Sequence, residues 1–311
     1  MAEISRRAPA LASFQRMVER EEHSTFGKTD ALLILMATIW AVNFSVIKYA
    51  TGVLSPLAFT GLRVAIAAAV LLAIAFLQGK RWPPKADILT LIMLGVIGNG
   101  VYQILFVEGL SRTKVGNAVL IVAASPAFVA IASRLKGIER VRHRTLAGVA
   151  LSICGVALVV YGSARSDHST ATLIGTLLVF IGVLMWTAFT VFVQPLAVRV
   201  NPVQLSALTM SGGVLPLLIA TPKALAATDW SLVGPAAWAA LLYASVISMV
   251  IAYLFWYRGL RVLGPTRTSI YGNLQPVIAI FVAWLFLHEA PTIWQGVGTG
   301  TIMTGIYLTR S

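Results

Sequence analysis

The sequence is short of charge. Only 11% of its 311 residues are Asp, Glu, Lys or Arg, where a soluble domain carries about a quarter. So few charges cannot clothe a water-facing globule. With 58% hydrophobic residues and a mean hydropathy of +0.84, the solvent implied is a bilayer. Cysteine is nearly absent. Cys154 stands alone, so no intramolecular disulfide can form and cysteine pairing says nothing about compartment. Acid is scarcer than base, 11 against 24, for a net charge of +13. In a soluble protein that excess would suggest nucleic acid. Here the bases sit in short clusters between apolar runs, the pattern of cytoplasmic loops beside anionic lipid, and no nucleic-acid partner is expected. Catalytic and metal-binding signatures are missing as well. There is no HExxH, no Walker sequence and no paired carboxylate, and His23, His143, His168 and His288 all fall in loops or the tail. No catalytic residue, metal or cofactor is expected, and the chain does not read as an enzyme. Finally, no apolar core follows the polar first 25 residues soon enough for a cleaved signal. Residues 1–29 read as a cytoplasmic tail.

What is there is a series of long apolar runs. A span needs about 20 mostly apolar residues, because in lipid a helix satisfies its own backbone. Ten segments qualify: 30–50, 57–78, 87–108, 115–134, 144–162, 171–196, 203–222, 236–257, 265–287 and 292–309. Their hydrophobicity is continuous rather than alternating, which excludes an outer-membrane barrel. Ser55-Pro56, Pro83-Pro84, Asn201-Pro202, Gly264-Pro265 and Ala290-Pro291 punctuate the runs.

Lysine and arginine orient the chain. With the N-terminus in the cytoplasm, the inner loops receive Lys80, Arg81, Lys85, Arg134, Lys136, Arg140, Arg142, Arg144, Arg199, Arg258, Arg261 and Arg267. The outer loops receive only Arg112, Lys114, Arg165 and Lys223. A bacterial-type inner membrane with both termini cytoplasmic is expected.

The two halves repeat. Gly109-Leu110 matches Gly259-Leu260, Pro126 matches Pro276, Glu139 matches Glu289, Gly148 matches Gly298 and Gly155 matches Gly305, all at an offset of 150. Upstream the offset is 146, with Trp40 on Trp186 and Ser55-Pro56 on Asn201-Pro202. Residues 30–165 and 170–311 are thus two units of five helices, and two odd repeats in tandem lie in opposite orientations. The loop charges agree: five Lys/Arg surround Glu139 and none surrounds Glu289. Inverted repeats let one half rock against the other around a midplane site, which is a transporter's architecture.

The end of each half is the most characteristic stretch. "LQPVIAIFVAWLFLHEAPTIWQGVGTGTIMTGIYL" and the looser "SPAFVAIASRLKGIERVRHRTLAGVALSICGVALV" place a proline helix, a glutamate and a glycine-spaced last helix in order. Across 31–309 the chain resembles the drug/metabolite transporter superfamily, specifically its EamA-type ten-helix branch, and within that the bacterial exporters of aromatic amino acids. The resemblance implies an all-α membrane protein with two inverted five-helix repeats around a central cavity, the last helix of each half lying peripheral. The small multidrug branch of the superfamily keeps a glutamate in its first helix. "WAVNFSVIKYA" has none, which argues against proton coupling through a buried carboxylate.

Polar and aromatic residues inside spans are candidates for the cavity. Asn99, Tyr102, Gln103 and Phe106 share a helical face by spacing. Trp40, Asn43 and Phe44 cluster on the first helix, with Trp186 at the repeat position of Trp40 and Tyr253 at that of Gln103. Ser245, Ser248 and Trp256 lie on the eighth segment, and Tyr271, Asn273 and Gln275 surround Pro276. Aromatic walls with amides suit a zwitterion or neutral metabolite, while each residue alone could equally serve helix packing. Pro126 and Pro276 are expected to bend their helices, as hinges or as fixed kinks. Arg63 is expected to snorkel outwards or pair with Glu108, capture of a substrate carboxylate being the other reading. Glu139 and Glu289 read as caps or loop anchors. Gly296, Gly298, Gly300 and Gly305 permit close helix packing, within their own half on the simpler account or at a dimer face on the other. The function expected is export or exchange of amino acids and related metabolites. Proton-driven drug export is the alternative, and a sensor or scaffold without transport the alternative of a different class. Oligomeric state is not legible.

Overall fold

The computed structural model describes residues 27–137 and 170–310, together with 147, 148, 150, 151, 153–155, 157, 158, 161 and 162. Most of the N-terminal tail, Glu139 and its arginine-rich loop lie outside the described residues. Among the described residues eight helices are long and apolar enough to cross a membrane: α1 (Lys28–Ala50), α2 (Pro56–Leu77), α3 (Lys85–Arg112), α4 (Val115–Leu135), α5 (Thr170–Arg199), α6 (Pro202–Ala220), α7 (Pro235–Val262) and α8 (Gly264–Leu287). A further helix, α9 (Ile293–Arg310), closes the chain. The fifth expected span, 144–162, is described at intervals and is helical there.

Local chemistry sets the helix starts. Ser55 caps α2 by accepting from the Ala58 N–H, and Asn201 caps α6 by accepting from the Val203 N–H. Each is followed by a proline in the first turn, where the missing N–H costs nothing. These caps occupy equivalent repeat positions. A second repeat feature was invisible in the sequence. α3 carries a π-helical stretch at Val96–Val101 and α7 one at Tyr243–Ile251, ending 150 residues apart.

The halves interleave. α1 packs on α7 and α8 of the other half, α5 makes the mirror contacts with α3 and α4, and the equivalent helices α2 and α6 lie against each other. The closest approach joins α3 to α6. A Cβ at Gly95 would stand 2.0 Å from the Thr209 carbonyl oxygen, and one at Gly212 would stand 2.1 Å from that of Ile92. Only glycine fits such backbone contact.

Outward-facing residues such as Phe281, Phe286, Leu218 and Ile219 are exposed, as a lipid-facing surface requires. The expected packing of the last helix is corrected in part. Gly298 is buried and its carbonyl lies near Gly155, but Gly296 and Gly300 have no neighbour within 4 Å of a Cβ position. Those two glycines face outwards because the contact with 147–162 runs instead through Ile302 and Trp294.

Candidate functional site

Both π-helical stretches end directly before the site they serve. A π turn widens the helix by one residue, so the positions that follow are re-aimed relative to those before. After the first stretch come Tyr102 and Gln103, and after the second Tyr253 and Trp256. All four line a cavity at the centre of the bundle, enclosed by helices of both halves.

Its walls are aromatic and come from both halves. The Trp40 and Trp186 rings meet edge to face, with centroids 5.9 Å apart. Trp40 also meets Tyr253 and Trp256, each at 5.5 Å, and Tyr102 meets Trp186 at 5.2 Å. Phe44 and Phe106 form a second edge-to-face pair at 5.3 Å. The Trp40 indole is fixed by donating to the Ser248 carbonyl inside the second π stretch, 3.1 Å away.

Of the residues expected in the cavity, Trp40, Asn43, Phe44, Tyr102, Gln103, Phe106, Trp186, Ser248, Tyr253, Trp256 and Gln275 line it. Asn99, Ser245, Tyr271 and Asn273 do not. Asn99 lies within the π stretch, where 3.6-residue spacing fails, and is fully buried with its backbone against Gly213. Asn273 lies in a 3-10 turn, Tyr271–Leu274. There side chains three apart eclipse one another, and from this stretch the cavity receives Ser269 and Gly272 beside the expected Gln275.

Pro126 and Pro276 stand at breaks rather than inside continuous helices. The α4 span is interrupted at Ala124, and Pro126 falls in the first turn of its second part. The α8 span is interrupted by the 3-10 turn, and Pro276 opens the helix after it. Ser125 and Gln275, equivalent positions at these breaks, line the cavity. Broken helices at a repeat interface are where transporters build binding sites.

Two of the three readings of Arg63 fail, and with them its pairing with Glu108. Arg63 is 1% exposed, so it does not snorkel. Its Nη2 donates to Gln103 Oε1, and its guanidinium sits over the Phe59 ring, 5.6 Å from the centroid. Glu108 pairs one turn along its own helix with Arg112. The i,i+4 partner was nearer than anything on α2.

Contacts between the halves lie on both sides of the cavity. Towards the start of α1, the Asp30 carboxylate accepts from the Tyr271 hydroxyl and Arg258 Nε donates to Thr29 Oγ1 at 3.1 Å. At the opposite side, Glu289 Oε2 accepts from the Val115 N–H at 2.8 Å, capping the start of α4. On that same side, but within the first half, Lys48 Nζ gathers the carbonyls of Leu110, Ser111 and Thr113 at 2.7–3.1 Å. Glu289 is therefore a cap, but for a helix of the other repeat. Asp30 was not foreseen as a cross-repeat partner, since one acid in a first helical turn reads as a dipole partner.

This architecture matches known proteins twice over. The model of the EamA-like transporter family fits residues 27–161 and again 173–311. The chain belongs to the EamA-like transporter family. A relative from Archaeoglobus fulgidus, named an "Uncharacterized transporter", is 30% identical over 91% of this chain and 98% of its own length. Another, from Escherichia coli and named "Probable amino-acid metabolite efflux pump", is 25% identical over 90% and 94%. A crystal structure with 19% sequence identity superposes with a TM-score of 0.65, over 89% of this chain and 94% of that one, and shows the same fold. This EamA-like transporter is a multi-pass membrane protein of two inverted repeats whose cavity draws its walls from both.

Proposed function

We propose that this transporter moves amino acids or related small metabolites, aromatic and neutral ones foremost, out of the cell across an inner membrane by alternating access. The observation that carries the reading is the aromatic cavity at the interface of the repeats, where equivalent residues from the two halves touch. Rings give an amphipathic solute apolar contact and attract its ammonium. Such a site becomes accessible from either side when residues 30–165 rock against 170–311, which is what inverted repeats permit. The Escherichia coli relative's name supports the substrate class. Arg258, one of the bases expected on the inner side, donates to Thr29 at the start of α1, which supports cytoplasmic termini. Among the described residues no Asp or Glu lines the cavity, which favours movement without a buried proton-coupling carboxylate over proton antiport of drugs.

Counterflow in proteoliposomes tests this. Vesicles preloaded with unlabelled phenylalanine should accumulate external labelled phenylalanine, and an amino-acid panel should compete. Binding of an amino acid by the purified protein without flux of any would favour a sensor instead.

A further inference from the structure

The cavity contains a cation and, among the described residues, no anion. Arg63 lies in the first third of α2, 1% exposed, and lines the cavity. Its polar side-chain partner is the neutral Gln103 amide, and its Nε is buried with no acceptor. A buried ion with no counter-charge is costly. A guanidinium presents five N–H donors in a planar fork that fits a carboxylate through two parallel bonds, and a single amide oxygen uses only part of it. Elsewhere in the same cavity the polarity is reversed. Asn43 Oδ1 is a buried acceptor with no donor. Unsatisfied groups of this kind are few in folded proteins. Here a fork lacking an anion and an oxygen lacking a donor share one aromatic chamber.

We propose that Arg63 anchors the carboxylate of the transported molecule, that Gln103 holds this place as a neutral stand-in when the site is empty, and that Asn43 Oδ1 receives the amino group. The proposal rests on the transport reading above and narrows the cargo to molecules with a free carboxylate. It also favours a single carboxylate over a phosphoryl group, because among the described residues Arg63 is the one Arg or Lys that lines the cavity. Loading has a consequence across the interface. Gln103 Nε2 donates to the Tyr253 hydroxyl of the other repeat at 3.0 Å. A carboxylate that takes the fork deprives Gln103 Oε1 of its donor and loosens the residue that joins the halves.

Binding to the purified full-length protein, read by tryptophan fluorescence, tests the proposal with three probes. Phenylalanine carries both charged groups, 3-phenylpropanoate only the carboxylate, and phenethylamine only the ammonium. The expected result is that phenethylamine binds wild type about 10- to 100-fold more weakly than phenylalanine, as loss of a charged hydrogen-bond pair dictates, while 3-phenylpropanoate still binds. Arg63→Gln should weaken phenylalanine by a similar factor and leave phenethylamine unchanged. Equal binding of phenethylamine and phenylalanine to wild type overturns the proposal, and so does binding of neither acid. Those comparisons require no variant to fold. Flux separates the two readings. Phenylalanine that crosses while binding ignores the carboxylate contradicts only the Arg63 anchor. Carboxylate-dependent binding with no amino acid crossing keeps the anchor and contradicts the transport reading.

Discussion

Gln103 and Tyr253 stand 150 residues apart, the repeat offset itself, and are hydrogen-bonded to each other at 3.0 Å. Residues at equivalent positions of two inverted repeats can touch only where the pseudo-two-fold axis passes between them. Trp40 and Trp186, 146 apart and in ring contact at 5.9 Å, mark the same axis independently. The cavity between these pairs is thus a place that both halves see alike. Any rocking of one half against the other must change it.

Tyr253→Phe removes the hydroxyl and leaves the buried Gln103 Nε2 without an acceptor. An unsatisfied buried donor costs about 1–3 kcal/mol. The variant should unfold at lower temperature than wild type in detergent, while Tyr49→Phe, at a half-exposed ring elsewhere on α1, should not. Equal melting of Tyr253→Phe and wild type would remove this bond from the account.

The α3–α6 contact predicts a sharp contrast between glycines. Gly95→Ala and Gly212→Ala place a Cβ 2.0 and 2.1 Å from a backbone oxygen of the facing helix, so the helices must separate. Both variants should give little monodisperse protein on size-exclusion chromatography. Gly296→Ala and Gly300→Ala meet open space and should elute as wild type does.

Truncating the aromatic wall should shift selectivity before it affects folding. Ring pairs contribute about 0.5–1.5 kcal/mol each beyond area burial. Trp40→Ala and Trp186→Ala should lose competition by phenylalanine and tryptophan more than by alanine in counterflow. Unchanged ranking in both variants would take these rings out of the binding site.

The Lys48 and Glu289 contacts hold the side of the cavity opposite the start of α1. Glu289→Gln keeps the shape but removes the charge that caps α4, worth about 0.3–1 kcal/mol at a helix N-terminus. The variant should open that side more often. A cysteine placed at Asn117, which now accepts from Gln295 Nε2 at 2.9 Å, should then react faster with an impermeant maleimide added from that side, in a Cys154→Ala background.

Most of the architecture was legible because it rests on periodicity and composition. Apolar runs gave the spans, matched residues gave the repeat, and loop charge gave its inversion. Eleven of the cavity's residues stand at polar and aromatic positions that lipid would not tolerate. What escaped depended on backbone irregularity or on a choice among partners. Asn99 was misplaced because a π stretch interrupts the helical spacing, and Asn273 because a 3-10 turn replaces it. Arg63 is expected to snorkel outwards, to pair with Glu108 or to capture a carboxylate, yet it is buried and Glu108 pairs with Arg112 on its own helix. No sequence pattern marks how deeply an arginine inside a span is buried.

The central claim is that the cavity on the repeat axis opens to both sides in turn. Ser125 lines it at the break in α4, so Ser125→Cys in a Cys154→Ala background reports on access. Impermeant maleimide applied to right-side-out vesicles in one experiment and to inverted vesicles in another should label this cysteine from each side, and phenylalanine should slow both reactions. Labelling from one side only, with or without phenylalanine, would contradict alternating access through this cavity.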